Sequence, residues 1–233
     1  MLLVGLTGGL GSGKSTAARL FEALGAKVLQ SDGIGRDLME PGQSVFASIV
    51  DHFGEGVLLP DGRLDRSALA KIAFVDGRVE ELNAIVHPAV IARQAELSDA
   101  ISRSDPRAVV IVESALIFET RYGVETRYGV TIHGRTRATD ETPWKNRFDK
   151  IILVTAPEEV KIARSVARCA AGEPMTPERQ AKLEAEARLR LSQQIPDEQK
   201  SALCDYVLTN GGPLKELEWQ VDQLWPILKA AAE

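Results

Sequence analysis

Four residues near the start of the chain carry its most specific chemistry. Gly8, Gly13, Lys14 and Ser15 stand at the spacing G-x-x-x-x-G-K-[ST], the pattern of a phosphate-binding loop. Glycines lack a Cβ, so their backbone can lie directly against an anion. Backbone N–H groups then point at the phosphate, at the positive end of the following helix. Lys14 has the reach for β- and γ-phosphates, and the Ser15 hydroxyl suits Mg²⁺. The stretch Gly11-Ser12-Gly13-Lys14-Ser15-Thr16 is the candidate nucleotide cradle. The motif says ATP or GTP binding; it does not distinguish kinase, ATPase and GTPase.

Other side chains narrow the choice. Asp32 follows the second apolar run, at the edge of a sheet where ligands bind in open α/β folds. It suits a proton acceptor for an alcohol, a water-mediated Mg²⁺ contact, or a helix N-cap. Glu113 ends a third apolar run and is a candidate for the metal side. Arg164 and Arg168 lie four apart on one helix face, and Arg188 and Arg190 lie on the next helix. A planar guanidinium binds phosphate oxygens in pairs, so this helical hairpin reads as a lid. His87 stands beside Pro88, while His52 and His133 show no partner pattern. There is no Cys/His metal cluster and no serine-nucleophile elbow. There is also no N-K-x-D run to read guanine. Asp51-His52-Phe53-Gly54 follows a helical pattern, not a buried strand, which disfavours a switch-type GTPase.

Positioning these groups requires alternating strands and helices. An apolar strand opens the chain, and an amphipathic helix covers Ala17 to Leu24. Ala26 to Gln30 reads as a second strand, with further helices near Ile34 to Leu38 and from Ser44 to Phe53. Leu59 to Leu64 reads as a turn or small hairpin, and Ser67 is placed to cap a helix over Ala68 to Phe74. A helical pattern runs from Arg78 to Ile101, with Pro88 expected to kink or restart it. Ala108 to Val112 and Lys150 to Val154 are continuous apolar runs, as for strands buried on both faces; Cys204 to Leu208 is a weaker third. Helices are expected at Pro157 to Ala171, Glu178 to Gln194 and Pro213 to Ala230. The sum is an α/β fold: a three-layer arrangement with a parallel sheet of about five strands. Glu119 to Val124 is repeated at once as Glu125 to Val130, and residues 120–147 read as an extra surface loop.

Of the 233 residues, 44% are hydrophobic and 26% charged, with net charge −5. That describes an ordinary globular chain without general attraction to nucleic acid or an anionic membrane. Cys169 and Cys204 have no metal-ligand spacing. The apolar start is too short for a signal peptide and no run is long enough to span a bilayer, so the cytoplasm is the expected location.

The sequence as a whole resembles the dephospho-coenzyme A kinase family. The resemblance rests on Gly5 to Thr16, Leu24-Gly25-Ala26 with Asp32, Pro41-Gly42, Asp61 to Arg66 and Asn83 to Pro88. It continues through Leu116 to Glu119, Arg164 and Arg168, Arg190 with Gln194 and Lys200, Asp205-Tyr206-Val207 and Asn210-Gly211-Gly212. The chain departs from the family in having Gln30-Ser31-Asp32 where Asp-Ala-Asp is frequent, Ala115 where proline is usual, and Glu113 where aspartate is usual. The resemblance implies transfer of the ATP γ-phosphoryl group to the ribose 3′-hydroxyl of dephospho-coenzyme A. Asp32 is then the base, Lys14 the phosphate clamp and Arg164 a lid-side phosphate ligand. Arg66, His87 and Leu116 fall on the acceptor side, Arg168 near phosphate and Asn210 near adenine. It implies a nucleotide-binding core (1–32, 108–168, 195–233), an acceptor-binding helical insertion (33–107) and a lid (169–194), in a monomer or weak homo-oligomer. Another small-molecule or nucleoside kinase, or a non-catalytic nucleotide sensor, shares this architecture.

Overall fold

The computed structural model describes residues 1–118, 147–170 and 174–233. The duplicated hexapeptide, nearly all of the 120–147 loop, His133 and the 171–173 tip of the expected lid lie outside the described residues. A five-stranded sheet has the order β2-β3-β1-β4-β5, from β1 (Leu2–Thr7), β2 (Lys27–Gln30), β3 (Val109–Glu113), β4 (Lys150–Thr155) and β5 (Tyr206–Thr209). β1 pairs in parallel with β3 and β4, and β4 with β5. The expected α/β architecture is present.

Period-two alternation explains why β1 sits at the centre. Leu2, Val4 and Leu6 face one side and pack with Ala17, Ala18 and Phe21 of α1 (Lys14–Ala23). Leu217, Val221, Leu224 and Leu228 of α9 (Leu214–Ala231) join the same cluster. Leu3 faces the other side, with Val110, Val112, Ile117, Phe148 and Ile151. Phe21 is fully buried, and truncating such a side chain costs about 3–5 kcal/mol. The parallel register sets Leu6 beside Glu113 and Thr7 beside Leu153. The carboxyl ends of β1 and β3 therefore lie side by side.

The chain divides into two compact units. One holds the described parts of residues 1–29, 101–118 and 147–233; the other holds residues 30–100. The second has its own core of Val45, Ile49, Val57, Leu64 and Leu69, with Leu82, Ile85 and Val86 packed against it. Its elements are α2 (Ser31–Leu38), α3 (Ser44–Phe53), α4 (Arg66–Ala70) and most of α5 (Val79–Ser104). The small hairpin is there as a single bridge between Leu58 and Leu64. In the first unit α6 (Glu158–Ala170) and α7 (Pro177–Ser192) pack together, followed by α8 (Asp197–Ser201).

The structure decides three local points. Asp65, not Ser67, caps the helix that begins at Arg66: its Oδ1 accepts from the backbone N–H of Ser67 at 2.8 Å and Ala68 at 3.1 Å. The carboxylate two residues earlier reaches two orphan amides, which a serine already inside the helix cannot do. Pro88 lies inside one continuous helix, α5, so no new helix starts there. Proline removes one backbone bond, and a long helix anchored by Val90 and Ile91 retains the rest. Asp32 is not the N-cap of α2; Gln30 holds that position and Asp32 sits in the first turn. The short helix α8 has no counterpart in the sequence reading, because five polar residues show no periodicity.

The cap assignment is directly testable. Asp65→Ala is expected to lower unfolding stability by about 1 kcal/mol, whereas Ser67→Ala should stay within about 0.5 kcal/mol of the parent. Urea titration of both variants checks this; equal losses would return the capping role to Ser67.

Candidate active site

The phosphate-binding loop occupies the turn between β1 and α1. Gly11 and Gly13 take φ of +73° and +93°, in the left-handed region that favours glycine. A Cβ at Gly11 would collide with the Lys161 carbonyl, and one at Gly13 with Nδ2 of Asn210. Both positions are thus glycine for two independent reasons. Gly13 is the N-cap of α1, with its carbonyl accepting from Thr16 at 3.0 Å and Ala17 at 3.1 Å. No side chain caps α1, and no acidic residue stands in its first turn. The positive end of the helix is therefore left for an anion.

Groups from distant parts of the first unit meet this loop. The Ser15 hydroxyl donates to Glu113 Oε1 at 2.7 Å, as the β1–β3 register allows. Arg164, on α6, donates from one guanidinium nitrogen to the Asn210 carbonyl at 2.8 Å and from another to Asn210 Oδ1 at 3.4 Å. That guanidinium lies 3.9 Å from the position of a Cβ at Gly13. Asn210 Nδ2 donates to the Ser12 carbonyl at 2.8 Å. Arg168, one turn beyond Arg164, is exposed, as is Arg190. Arg188 is engaged with Glu158 at 3.7 Å and Glu184 at 4.0 Å. Leu116 is half-buried, its N–H donating to Ser114 Oγ at 3.3 Å.

The outer side of the loop meets residues that the sequence reading gave no role. Gln194 Oε1 accepts from the Leu10 N–H at 3.1 Å. Asp197 accepts from both Thr155 Oγ1 and the Lys161 ammonium. Gln194 entered the sequence reading only as part of a family pattern, and nothing marked Asp197. The Gln194–Leu10 contact spans 184 residues of chain and the Asp197 contacts span 42 and 36, beyond the range of any local signal.

The second unit carries the remaining candidates. Asp32 is exposed; its neighbour Ser31 accepts from Gln94 Nε2 at 2.8 Å, and Gln94 is buried. Arg66 opens α4, 3.9 Å from Glu40. His87 is half-buried on α5. His52 contacts Glu81 at 2.6 Å. The Arg78 guanidinium, and then His52, hold the Glu81 carboxyl down to about 2, so this cluster is an ion-pair network of the fold. In the first unit burial pushes the Cys204 thiol up to about 12, which rules it out as a neutral-pH nucleophile. Among the described residues no three His, Cys, Asp or Glu side chains cluster as a metal site, and no helix is long and apolar enough to cross a membrane.

A glycine cradle at a helix N-terminus, flanked by a lysine and a nearby arginine, is machinery for binding a polyphosphate. The family profile described as CoaE: Dephospho-CoA kinase matches residues 2–136. The dephospho-CoA kinase of Geobacter sulfurreducens is 37% identical over 226 residues, covering 97% of this chain and 98% of its own. The chain belongs to the dephospho-CoA kinase family. Among solved structures, TT1252 from Thermus thermophilus superposes with a TM-score of 0.67 at 27% identity, covering 97% of both chains. The dephospho-CoA kinase from Campylobacter jejuni gives 0.57 at 20% identity, covering 97% of this chain and 96% of its own, and supports the fold. Membership of this kinase family disfavours the sensor alternative.

For a dephospho-CoA kinase the loop lysine makes the simplest test. Lys14→Ala is expected to remove most turnover with the fold intact, because the side chain belongs to no hydrophobic cluster and a lysine at this motif position would offset transferring phosphate charge. Circular dichroism and an ADP-release assay check it; near-normal turnover in the variant would remove Lys14 from the catalytic set.

Proposed function

We propose that this chain transfers the γ-phosphoryl group of ATP to the ribose 3′-hydroxyl of dephospho-coenzyme A, giving coenzyme A and ADP, the last step of coenzyme A synthesis. The observation that carries this reading is the meeting of the phosphate loop, the Ser15–Glu113 pair and Arg164 in one unit of a chain of this family. Gly11 to Thr16 hold the ATP phosphates through backbone N–H groups. Lys14 and Arg164 offset the charge that spreads over the transferring group, with Arg168 a further lid-side contact. In a loose phosphoryl transfer the protein mainly positions groups and stabilises charge.

The oxygen donors support Mg²⁺ at the same place. A hydroxyl and a carboxylate 2.7 Å apart are the hard ligands that this ion prefers. Ser15 and Glu113 would hold it, and when bound it would neutralise phosphate charge. Glu113→Gln is expected to raise the Mg²⁺ concentration for half-maximal rate about tenfold. A magnesium titration of turnover at saturating substrates checks this; an unchanged half-point would take Glu113 out of the metal site.

The acceptor side is assigned to the second unit. Asp32 takes the proton of the attacking hydroxyl as the new P–O bond forms and the β–γ bond breaks. Arg66, His87 and, in the first unit, Leu116 are the acceptor-binding candidates. The insertion 33–107 and the lid 169–194 keep the roles that the sequence resemblance gives them, in a cytoplasmic monomer or weak homo-oligomer. Two assays test the proposal. ADP should form only when dephospho-coenzyme A is supplied; ADP formed with another alcohol instead would move the substrate assignment. Asp32→Asn should lower turnover on the order of a hundredfold with ATP affinity little changed. Persistent turnover would place the base elsewhere, and a parallel collapse of ATP binding would make Asp32 a Mg²⁺–ATP ligand.

A further inference from the structure

Asn210 follows β5 and is turned into the protein. Its backbone N–H donates to the Thr155 carbonyl at 2.7 Å, and the residue is 6% exposed. Its side chain uses both ends of the amide. Nδ2 donates to the Ser12 carbonyl, and Oδ1 and the main-chain oxygen accept from Arg164. The amide also fills the space that a side chain at Gly13 would need.

The consequence for the loop follows from the planar trans peptide. Within the Ser12–Gly13 unit the C=O and N–H point in opposite directions. Holding the Ser12 carbonyl on the Asn210 side turns the Gly13 N–H to the opposite face. A carbonyl oxygen aimed at a phosphate would repel it, whereas an N–H attracts it. The contact that fixes this peptide also fixes the arginine, through hydrogen bonds on the same residue.

We propose that Asn210 is a positioning residue that locks the Ser12–Gly13 peptide and the Arg164 guanidinium into one anion-binding unit. It acts on phosphate through these two groups, not through the base of the nucleotide. The inference rests on the phosphate loop binding a polyphosphate, and not on the identity of the acceptor.

A ligand without a base separates this role from contact with adenine. Inorganic tripolyphosphate, measured by calorimetry on the full chain, is expected to bind Asn210→Ala about tenfold more weakly than the parent, in step with ATP. Asn210→Asp should lose as much or more, because a carboxylate then faces the Ser12 carbonyl; it also serves if the alanine variant does not fold. On Arg164→Ala, adding Asn210→Ala should cost less than it does on the parent, since the two residues act as one unit. Unchanged tripolyphosphate affinity in a folded Asn210 variant, with only ATP weakened, would overturn the proposal in favour of base contact. Strict additivity with Arg164→Ala would overturn the coupling. A parent that binds tripolyphosphate but leaves dephospho-coenzyme A unphosphorylated would refute the proposed acceptor and leave this inference standing.

Discussion

An anion cradle made of backbone cannot hold its own shape. Gly8, Gly9, Gly11 and Gly13 leave the phosphate loop with few side chains, and glycine is the residue with most freedom to lose. The conformation has to be imposed by neighbours. A Cβ on Gly8 would strike the Val154 carbonyl and the Ser12 hydroxyl, and one on Gly9 would crowd Gln194 and touch Asp197 at ordinary contact distance. Lys161 and Asn210 play the same part at Gly11 and Gly13. The loop is cast against β4, α6, the α7–α8 connection and the residue after β5. Much of the first unit is thereby committed to one turn. The ion pair of Lys161 with Asp197 is nearly buried on both sides. Such a pair is costly to break singly, at about 3–5 kcal/mol, so it keeps α6 and α8 in place behind the loop.

Charge is arranged with the same economy. The chain is net negative, yet its proposed ligands are polyanions. Attraction must come from a few local sources: the uncapped start of α1, Lys14 and Arg164. Glu113 stands against that trend, since a carboxylate beside a polyphosphate raises its energy unless a cation lies between them. This is why the Ser15–Glu113 pair is more informative than either residue alone. A serine in the motif is expected on any reading, but a carboxylate within hydrogen-bond reach of it fits a site built for a cation.

The sequence made the local elements legible and left the long-range ties hidden. The helix from Ser44 to Phe53 has the expected ends, because apolar residues recur at helical spacing between Pro41-Gly42 and Gly54. The central strands are apolar because helices cover both faces. The phosphate loop is a contiguous motif with a fixed mechanism, so Lys14 and Ser15 needed no fold to be found. The helix begins at Arg66, two residues before the start that the apolar spacing suggests, so the cap falls on Asp65. Gln194 and Asp197 are ordinary polar residues at helix ends; only the packing of α7 and α8 on the loop gives them a task. Asn210 had a place in the pattern, but its hydrogen bond to Ser12 joins residues 198 apart, and no periodicity encodes such a contact.

The roles proposed for the two units divide along chemical lines. Phosphate needs many weak, well-aimed donors, and the first unit supplies them from rigid elements that meet at the carboxyl ends of the central strands. An alcohol needs one proton acceptor and enough contacts to orient it. The second unit is built to that scale, with its own core and a short helix capped by Asp65 immediately before Arg66. The buried Gln94 fixes Ser31 next to Asp32, so the proposed base is anchored through its neighbour while its own carboxylate remains exposed. An exposed carboxylate on an anchored segment is open to an incoming hydroxyl. The anchoring of Ser31 and the exposure of Asp32 thus meet one requirement of the proposed role: a carboxylate held in position yet open to the acceptor.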